Sequence, residues 1–285
     1  MSRIAYVNGR YIPQHQAGVS IDDRGYQFGD GVYEVVTIIN GRMADEDWHL
    51  DRLEFSLGEL VIPMPMSRAA LKIVIRNIIR MNGISTGLIY FQVTRGVMRR
   101  DHAFPALMKP QLVMTAKTMK FPGPDSARPV KVITVPDQRW RRRDIKTTQL
   151  LPNCLAKTKA VEAGAYEAWM VDDDGYVTEG SSSNAWIVTK EGELITRPTT
   201  YDILSGITRK TVMAIAAERN LKIVERAFTP EEAIAGAEAF MTSASSIVTP
   251  IGLINDSPVA DGEAGPVAMA LRHAYFDHVG KNAAE

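Results

Sequence analysis

The stretch Asp23-Arg24-Gly25-Tyr26-Gln27-Phe28-Gly29-Asp30-Gly31-Val32-Tyr33-Glu34-Val35-Val36 passes from glycines and charged residues directly into an apolar segment. Val35–Ile39 is predicted to be a strand, and Asn40-Gly41 then supplies the residues that a two-residue hairpin turn prefers. An earlier pair, Asn8-Gly9, lies between two short apolar runs in the same way. The first part of the chain is therefore predicted to consist of antiparallel strands joined by tight turns.

Two amphipathic helices are predicted after these strands. Leucines at three- and four-residue intervals between Leu50 and Leu60 mark one apolar helix face. Ser67 is a residue type that caps helix starts, the apolar stripe from Leu71 to Ile79 predicts the second helix, and Asn82-Gly83 ends it. Two further strands are predicted, at Leu88–Thr94 and Gln111–Thr115.

The segment Phe121–Pro129 is the best candidate for a linker between two domains. It holds three prolines and one glycine in nine residues, and this composition resists regular structure. We therefore predict a smaller N-terminal α/β domain over residues 1–120, a linker over 121–129, and a larger C-terminal domain over 130–285. A chain of 285 residues is long enough for two domains.

The second half again mixes strands and helices. A strand is predicted at Val130–Val135 and a helix at Asn153–Ala163, closed by Gly164. Ile207–Arg219 is predicted to be a helix with Ser205 as a candidate cap, and Thr229-Pro230-Glu231-Glu232 is a capping box. Ala264–His278 is predicted to be the closing helix. The fold class that follows is α/β (α+β), with two domains and much antiparallel sheet.

Composition limits the possible functions. Lys plus Arg and Asp plus Glu both number 33, so the formal net charge is zero and a general nucleic-acid binder is not expected. Nothing indicates a signal peptide or a membrane span, and the only cysteine, Cys154, is expected to be a buried, inert thiol. These features predict a cytoplasmic protein. The five histidines lack the spacing of metal ligands, so no metal site is expected.

Three polar segments permit both a functional and a purely structural interpretation. Thr178–Asn184 is rich in small donors and acceptors, which could hold a polar ligand, fix a carboxylate, or simply form a surface turn. Leu204–Arg209 opens a helix whose free N–H groups could bind phosphate, although an ordinary capped helix is the preferred interpretation of this segment taken alone. Thr242–Ser246 is a second small polar loop with the same two interpretations.

Two basic segments are also ambiguous when they are taken alone. Arg139–Arg143 contains four arginines, and we interpret most of this run as a solvated face. Arg100 and His102 are two positions apart in an extended loop and could hold a carboxylate together. An exposed polar loop is the alternative interpretation of that pair.

Taken together and in order, these segments resemble the D-amino-acid aminotransferases, which are fold type IV, branched-chain aminotransferase-like enzymes that use pyridoxal 5'-phosphate. The opening stretch Asp23–Val36 resembles the N-terminal signature of that family, and the similarity extends from about Tyr6 to Pro250. Each motif alone is weak or moderate, but the ordered set is specific. The further matching segments are His49–Leu53, Tyr90–Gly96 through Phe104-Pro105, Asp144–Lys146, Thr178–Asn184, Leu204–Arg209 and Thr242–Pro250.

The resemblance implies a pyridoxal 5'-phosphate site in the C-terminal domain. Lys146 would form the Schiff base and act as the base in proton transfer. Glu179 would pair with the pyridine nitrogen, and Leu204 would lie against the ring. Arg52 would bind the phosphate together with the donors of the two polar loops. Those donors are Gly206, Ile207, Thr208, Ser243 and Ala244.

The resemblance also implies the substrate. Tyr33, Arg100 and His102 would bind the substrate carboxylate, with Arg100 and His102 reaching in from a neighbouring subunit of a homodimer. This placement would present the Cα hydrogen of a D-amino acid to Lys146. The expected donor is D-alanine, and the expected acceptor among 2-oxo acids is 2-oxoglutarate.

The sequence departs from the family pattern at two places. Ala244 replaces a hydroxyl residue, which puts one phosphate contact in question. Val97-Met98 make the turn before Arg100 bulky, which puts the breadth of the side-chain pocket in question.

Other functions on the same scaffold remain as alternatives. A branched-chain L-aminotransferase or an aminodeoxychorismate lyase would share Lys146, Glu179 and the phosphate sites. Neither enzyme, nor an (R)-selective amine aminotransferase, would need the pair Arg100 and His102. A catalytically silent binding module would bind the coenzyme without turning over any amino acid.

Overall fold

The computed structural model describes residues 3–104, 106–107 and 109–282, without the side chains of the last two positions. Pro105, which ends one of the segments of family resemblance, lies outside the described residues. The chain divides into two compact units. Unit 1 contains Met1–Lys120, Ile145–Gln149 and Val279–Glu285, and unit 2 contains Phe121–Asp144 and Leu150–His278.

Unit 1 is built on one antiparallel sheet. Its described strands lie in the order β2-β1-β6-β5-β3-β4, and its helices are α1, α2 and α3. The bounds are β1 Ile4–Val7, β2 Arg10–Pro13, α1 Arg24–Phe28, β3 Gly31–Ile39, β4 Arg42–Met43, α2 Glu46–Glu59, α3 Arg68–Met81, β5 Gly87–Thr94 and β6 Gln111–Thr118. In this sheet β3 pairs with β5, and Tyr33 lies opposite Gln92.

The apolar faces of α2 and α3 supply the core of unit 1. Leu50 and Leu53 of α2 and Leu71 and Ile75 of α3 are fully buried and belong to one cluster with Phe91 of β5. This cluster is the apolar stripe that the leucine and isoleucine spacing predicts. The helices thus cover one face of the sheet.

Unit 2 is built on a mixed sheet. Its described strands lie in the order β12-β11-β10-β13-β14-β7-β8-β9, and β15 pairs with β14. The β11/β12, β14/β7 and β7/β8 pairs are parallel. The bounds are β7 Val130–Pro136, α4 Leu151–Glu162, β8 Glu167–Val171, β9 Val177–Gly180, β10 Asn184–Val188, β11 Glu193–Thr196, α5 Ile207–Glu218, β12 Lys222–Glu225, α6 Pro230–Ala235, β13 Glu238–Ser243, β14 Ile247–Ile254, β15 Ser257–Pro258 and α7 Pro266–Asn282.

Most of the predicted turns and caps are confirmed. Asn8-Gly9 and Asn40-Gly41 join paired antiparallel strands. The Ser67 side chain accepts a hydrogen bond from the N–H of Ala70 at 3.3 Å, and Thr229 accepts one from Glu232 at 3.2 Å. The cap predicted at Ser205 is wrong, because Gly206 occupies the N-cap of α5 and makes no side-chain cap.

Two predictions about single side chains are also wrong. Cys154 is exposed rather than buried, because α4 turns Ala156 and Ala160 toward the core instead. The solvated face predicted for most of Arg139–Arg143 is wrong for Arg139 and Arg143, which are largely buried in ion pairs, whereas Arg141 is exposed. Among the described residues, no helix is long and apolar enough to cross a membrane.

The two-unit organisation confirms the fold class, with antiparallel and mixed sheets combined with helices. The predicted linker Phe121–Pro129 begins unit 2 and contains a short 3₁₀ turn at Pro124–Ser126. The contacts of Ile145–Gln149 group this segment with unit 1. Lys146 is therefore part of unit 1, although it follows the linker in sequence.

Candidate functional site

Lys146 is held by the backbone of β3 and by α2. Its carbonyl accepts a hydrogen bond from the N–H of Tyr33 at 3.0 Å, and its own N–H donates to Ser56 Oγ at 3.3 Å. Thr147 forms an isolated β-bridge with Val32. The amine nitrogen Nζ lies 4.3 Å from the centre of the Tyr33 ring. The amine of this lysine is thus placed beside an aromatic face on an anchored backbone.

Arg52 lies in a buried ion cluster with Glu34 and His49. Its Nε and Nη2 donate to the two oxygens of Glu34 at 2.8 and 2.7 Å, and His49 Nδ1 lies 2.7 Å from Glu34 Oε2. Burial alone would raise the pKa of Glu34, but the charge and hydrogen bonds of Arg52 and His49 lower it to about 2. Burial lowers the pKa of His49, against the effect of Glu34. Arg52 is therefore a rigid, oriented cation.

Sequence analysis did not assign a role to Glu34 or His49. A signal was present, since Glu34 interrupts the apolar strand β3 and is fully buried there. A buried carboxylate requires a partner of opposite charge. The two residues on α2 that face it, His49 and Arg52, are three positions apart and hence on one side of the helix.

Glu179 lies at the centre of the polar cluster in unit 2. Arg139 Nη1 contacts its Oε1, the Leu204 N–H donates to Oε1 at 3.1 Å, and Asn184 Nδ2 donates to Oε2 at 3.0 Å. Burial raises the pKa of Glu179, and the charge of Arg139 opposes that rise. The carboxylate is held in one orientation by these three neighbours.

Arg139 is itself fixed by Asp137. The Arg139 Nε and Nη2 donate to the two oxygens of Asp137 at 2.9 and 2.7 Å, and Thr178 Oγ1 also donates to Asp137 at 2.7 Å. Burial raises the pKa of Asp137, but its bonds with Arg139 outweigh burial and lower the pKa. No role at the site is predicted for Asp137 or Arg139, because Arg139 pairs with Glu179, which lies 40 residues later in the chain.

The serines after Glu179 hold a carboxylate rather than an external ligand. Ser181 Oγ contacts Glu167 Oε1, Ser182 Oγ donates to Glu167 Oε2 at 2.9 Å, and Ser183 Oγ donates to the same oxygen at 3.2 Å. A Cβ on Gly180 would collide with Ser183 and Glu167. The loop is therefore fixed directly beside Glu179. Fixing a carboxylate is one of the three roles predicted for Thr178–Asn184.

The start of α5 offers backbone donors for an anion. Gly206 is the N-cap and makes no side-chain cap, so the first N–H groups of the helix face outward from its end. A Cβ at Gly206 would collide with Asn184 Oδ1. The segment at the start of α5 thus lies beside the side chains that surround Glu179. It contains the predicted coenzyme-binding residues Leu204, Gly206, Ile207 and Thr208.

The Ser243 loop provides clustered hydroxyl groups between β13 and β14. Ser243 Oγ lies 2.6 Å from Ser246 Oγ and 3.3 Å from Ser245 Oγ. Ala244 supplies no hydroxyl, so its contribution to an anion site is limited to the backbone. Asn184 pairs with Thr242 in the sheet and also bonds the Leu204 carbonyl, which places this loop and the start of α5 on either side of one strand end.

Arg100 and His102 lie in an exposed loop of unit 1 and share one aromatic neighbour. Arg100 Cζ is 4.4 Å from the centre of the Phe28 ring, and the His102 ring centre is 5.6 Å from it. Tyr33 instead contacts Lys146 and Tyr90. Within the described part of the chain, the three predicted carboxylate-binding residues thus fall into two groups, and no contact joins them.

The histidines do not form a metal centre. Among the described residues, no group of three or more His, Cys, Asp or Glu side chains could hold a metal ion. His273 instead lies 2.9 Å from Asp125 in an ion pair.

Comparison with known proteins gives consistent similarities. Residues 31–254 match the Amino-transferase class IV family. The chain is 39% identical to a D-alanine aminotransferase of Bacillus licheniformis over 267 residues, which cover 94% of each protein. It is also 39% identical to a D-alanine aminotransferase of Listeria monocytogenes over 273 residues, which cover 95% of this chain and 93% of the relative.

Solved structures show the same fold. The branched-chain amino acid aminotransferase of T.th., crystallised with pyridoxamine 5'-phosphate, is 26% identical, with a TM-score of 0.89, over 98% of this chain and 94% of that one. Its complex with N-(5'-phosphopyridoxyl)-L-glutamate gives a TM-score of 0.90 at 26% identity over 99% and 95% of the two chains. The similarity therefore extends over both units.

Proposed function

Because this chain belongs to the class IV aminotransferase family, we propose that it transfers amino groups from D-amino acids, with D-alanine as donor, to 2-oxo acids such as 2-oxoglutarate. Family membership makes it an aminotransferase. The choice of D-amino acids depends on one observation above all, the similarity to D-alanine aminotransferases over more than nine tenths of the chain. The pair Arg100 and His102 supports the same choice.

The proposed cofactor is pyridoxal 5'-phosphate, and each unit, taken by itself, supplies residue types that this coenzyme requires. When bound, this coenzyme supplies a carbonyl that links to an amine and a protonated ring that withdraws electrons from the substrate Cα. Glu179 accepts from Arg139, from Asn184 and from the Leu204 N–H, which is shared between its two oxygens at 3.1 and 3.2 Å. A carboxylate has about four acceptor positions, so three donors leave room for the ring N–H to bind an ionised Glu179.

The phosphate would be held by one charged side chain and two sets of neutral donors. Arg52 is the charged group, and Glu34 fixes its direction. The uncapped start of α5 at Gly206–Thr208 and the Ser243–Ser246 hydroxyls are the neutral donors. Leu204 supplies an apolar side chain immediately before them. Ala244 leaves the hydroxyl contacts to its serine neighbours.

Lys146 is the proposed catalytic residue. Its Nζ would bind the coenzyme carbonyl at rest and, once a substrate amine has taken that place, would move the proton to and from the substrate Cα. The bonds of the Lys146 main chain to Tyr33 and Ser56 fix the backbone from which the amine extends. A proton taken and returned by one anchored amine is exchanged on one face only, and this gives stereospecificity.

The test is the visible absorption of the purified protein with added pyridoxal 5'-phosphate, before and after D-alanine or L-alanine is supplied. We expect the band of the bound coenzyme to bleach with D-alanine and to persist with L-alanine. Bleaching by L-amino acids alone would instead favour the branched-chain aminotransferase alternative. The absence of any band would refute the coenzyme assignment.

We propose further that the active form is a cytoplasmic homodimer in which Arg100 and His102 serve the partner's site. Complementation tests this arrangement: Lys146→Ala and Arg100→Ala proteins are assayed at low D-alanine, separately and after mixing. Random exchange gives half heterodimers, each with one intact site, so about a quarter of the wild-type activity should return. If mixing restores nothing although subunit exchange is demonstrated, the pair acts within its own chain.

A further inference from the structure

Helix α1 is a short helix that is rigidly attached to the end of β5. The Asp23 side chain caps it by accepting from the Gly25 N–H at 2.7 Å, and Thr94 Oγ1 donates to the other Asp23 oxygen at 3.0 Å. Gly25 packs against the Thr94 side chain so closely that a Cβ would collide with it. The helix ends at Gly29, which has a positive φ of 65°. Phe28, the last residue of α1, is therefore fixed in place.

The ring of Phe28 contacts both side chains of the proposed carboxylate-binding pair. Arg100 Cζ is 4.4 Å from the ring centre, which is the distance of a cation–π contact. The His102 ring centre is 5.6 Å away at an interplanar angle of 51°. Arg100 and His102 are otherwise exposed on their loop. The Phe28 ring thus contacts the side chains of both Arg100 and His102.

The backbone of the same loop is held by Arg24, at the other end of α1. Arg24 Nη1 donates to the Asp101 carbonyl at 2.5 Å, and Arg24 Nε donates to Asp30 Oδ2 at 2.7 Å. Arg95 Nε binds the same oxygen of Asp30 at 2.7 Å. The loop is therefore anchored through its carbonyl groups, while Phe28 contacts its side chains.

We infer that Phe28 is a positioning residue for substrate recognition, which orients Arg100 and His102 toward the substrate carboxylate. This inference rests on the proposed function, in which that pair binds the carboxylate. An exposed arginine samples many rotamers, and fixing it before substrate arrives removes part of the entropic cost of binding. Phe28 touches neither coenzyme nor substrate in this scheme and acts only through the pair.

The test compares Phe28→Leu with Phe28→Tyr and with Tyr26→Leu. Leucine keeps an apolar side chain but removes the aromatic face, whereas tyrosine keeps that face. Tyr26 is on the same helix, is 73% exposed, and makes no ring contact among the described residues, so its replacement is the matched control. Each protein is assayed for kcat and for KM with D-alanine, and its coenzyme affinity and thermal midpoint are measured without substrate.

We expect Phe28→Leu to raise the KM for D-alanine by roughly 3- to 30-fold, the range of a cation–π contact expressed as an equilibrium. The coenzyme affinity should stay within about twofold of wild type, and both Phe28→Tyr and Tyr26→Leu should keep the wild-type KM. A role confined to stability would lower the thermal midpoint and leave the KM unchanged. If Phe28→Leu does not fold, Phe28→Met is judged by the same criteria.

The inference is wrong if folded Phe28→Leu or Phe28→Met keeps the wild-type KM, or if Phe28→Tyr loses affinity as strongly as leucine does. These outcomes differ from a failure of the proposed function itself. In that case the wild-type protein would already show no turnover of D-alanine.

Discussion

The substitution Glu34→Gln removes one negative charge from the buried cluster of Glu34, His49 and Arg52 while preserving the size of the side chain. Arg52 then stays buried beside a neutral amide, without the carboxylate that binds its Nε and Nη2. Removing one partner of a buried ion pair is typically destabilising by roughly 3–5 kcal/mol. The pKa shift of Glu34 gives a second value for the same free energy. The pKa of Glu34 falls from 4.5 to about 2, and such a shift corresponds to roughly 3 kcal/mol at neutral pH.

The pH dependence has a definite sign. Because the folded-state pKa of Glu34 lies below its unfolded value, the stabilisation is complete above about pH 4.5 and is lost as the pH falls toward 2. Wild-type protein and Glu34→Gln should therefore differ in free energy of unfolding by about 3 kcal/mol at pH 7 and by clearly less at pH 3. Glutamine does not titrate, so the acid part of the difference reports Glu34 together with His49, whose pKa the Glu34 carboxylate raises against the effect of burial.

Urea unfolding without coenzyme measures this difference, at both pH values and with the same protein preparations. Asp51→Asn is the control, because Asp51 lies on the same helix and pairs with Arg68 at 2.6 Å but is mostly exposed. That exposed pair should contribute less than about 1 kcal/mol. A stabilising role of the ion pair is refuted if Glu34→Gln lowers the free energy of unfolding by less than about 1 kcal/mol at pH 7, or if it lowers that free energy equally at pH 3.

Three further predictions concern the site itself. Lys146→Ala should abolish turnover of D-alanine in a coupled assay while the protein still binds pyridoxal 5'-phosphate in equilibrium dialysis; near-normal turnover would remove Lys146 from the mechanism. Arg100→Ala should raise the KM for D-alanine by about tenfold or more, as expected for loss of a charge-assisted hydrogen bond, and an unchanged KM would contradict its assignment. Arg139→Met should raise the pKa of Glu179 further, because burial is then opposed only by the weaker effect of the Leu204 N–H bond. The acid limb of the pH–rate profile should therefore move to higher pH; a profile identical to wild type would show that Arg139 does not control this carboxylate.

Local chemistry explains which parts of the fold could be predicted from the sequence. The Asn8-Gly9 and Asn40-Gly41 turns and the caps at Ser67 and Thr229 depend on residues within a few positions of one another. The predicted helix start at Ile207 is confirmed, but its N-cap is Gly206 and not Ser205, which composition also favours as a cap. Element boundaries of this kind depend on packing that a short sequence window does not contain.

The parts of the site that were missed depend on distant partners. Arg139 and Arg143 resemble a solvated basic run until Asp137, Glu179 and Asp202 fold against them. Cys154 is predicted to be buried because free cysteine is among the most buried residue types, yet the residues of α4 that are buried are Ala156 and Ala160. Family resemblance supplied Lys146, Glu179 and the phosphate donors, and it gave no information about the supports at Glu34, Asp137 or Phe28.

The parallel pairing of β7 has a consequence for how the chain is made. In the sheet, β7 lies between β8 and β14. β8 is the next strand in the chain, but β14 comes much later. The N–H of Thr134 in β7 donates to Oδ1 of Asn255, just after β14 and 121 residues further along the chain. During synthesis on the ribosome, one edge of β7 therefore stays unpaired until most of the chain has been made. Unpaired strand edges are templates for aggregation. A chain that stops before Ile247 should collect in inclusion bodies, and the interval between the synthesis of β7 and that of β14 is the period in which unit 2 most needs a chaperone.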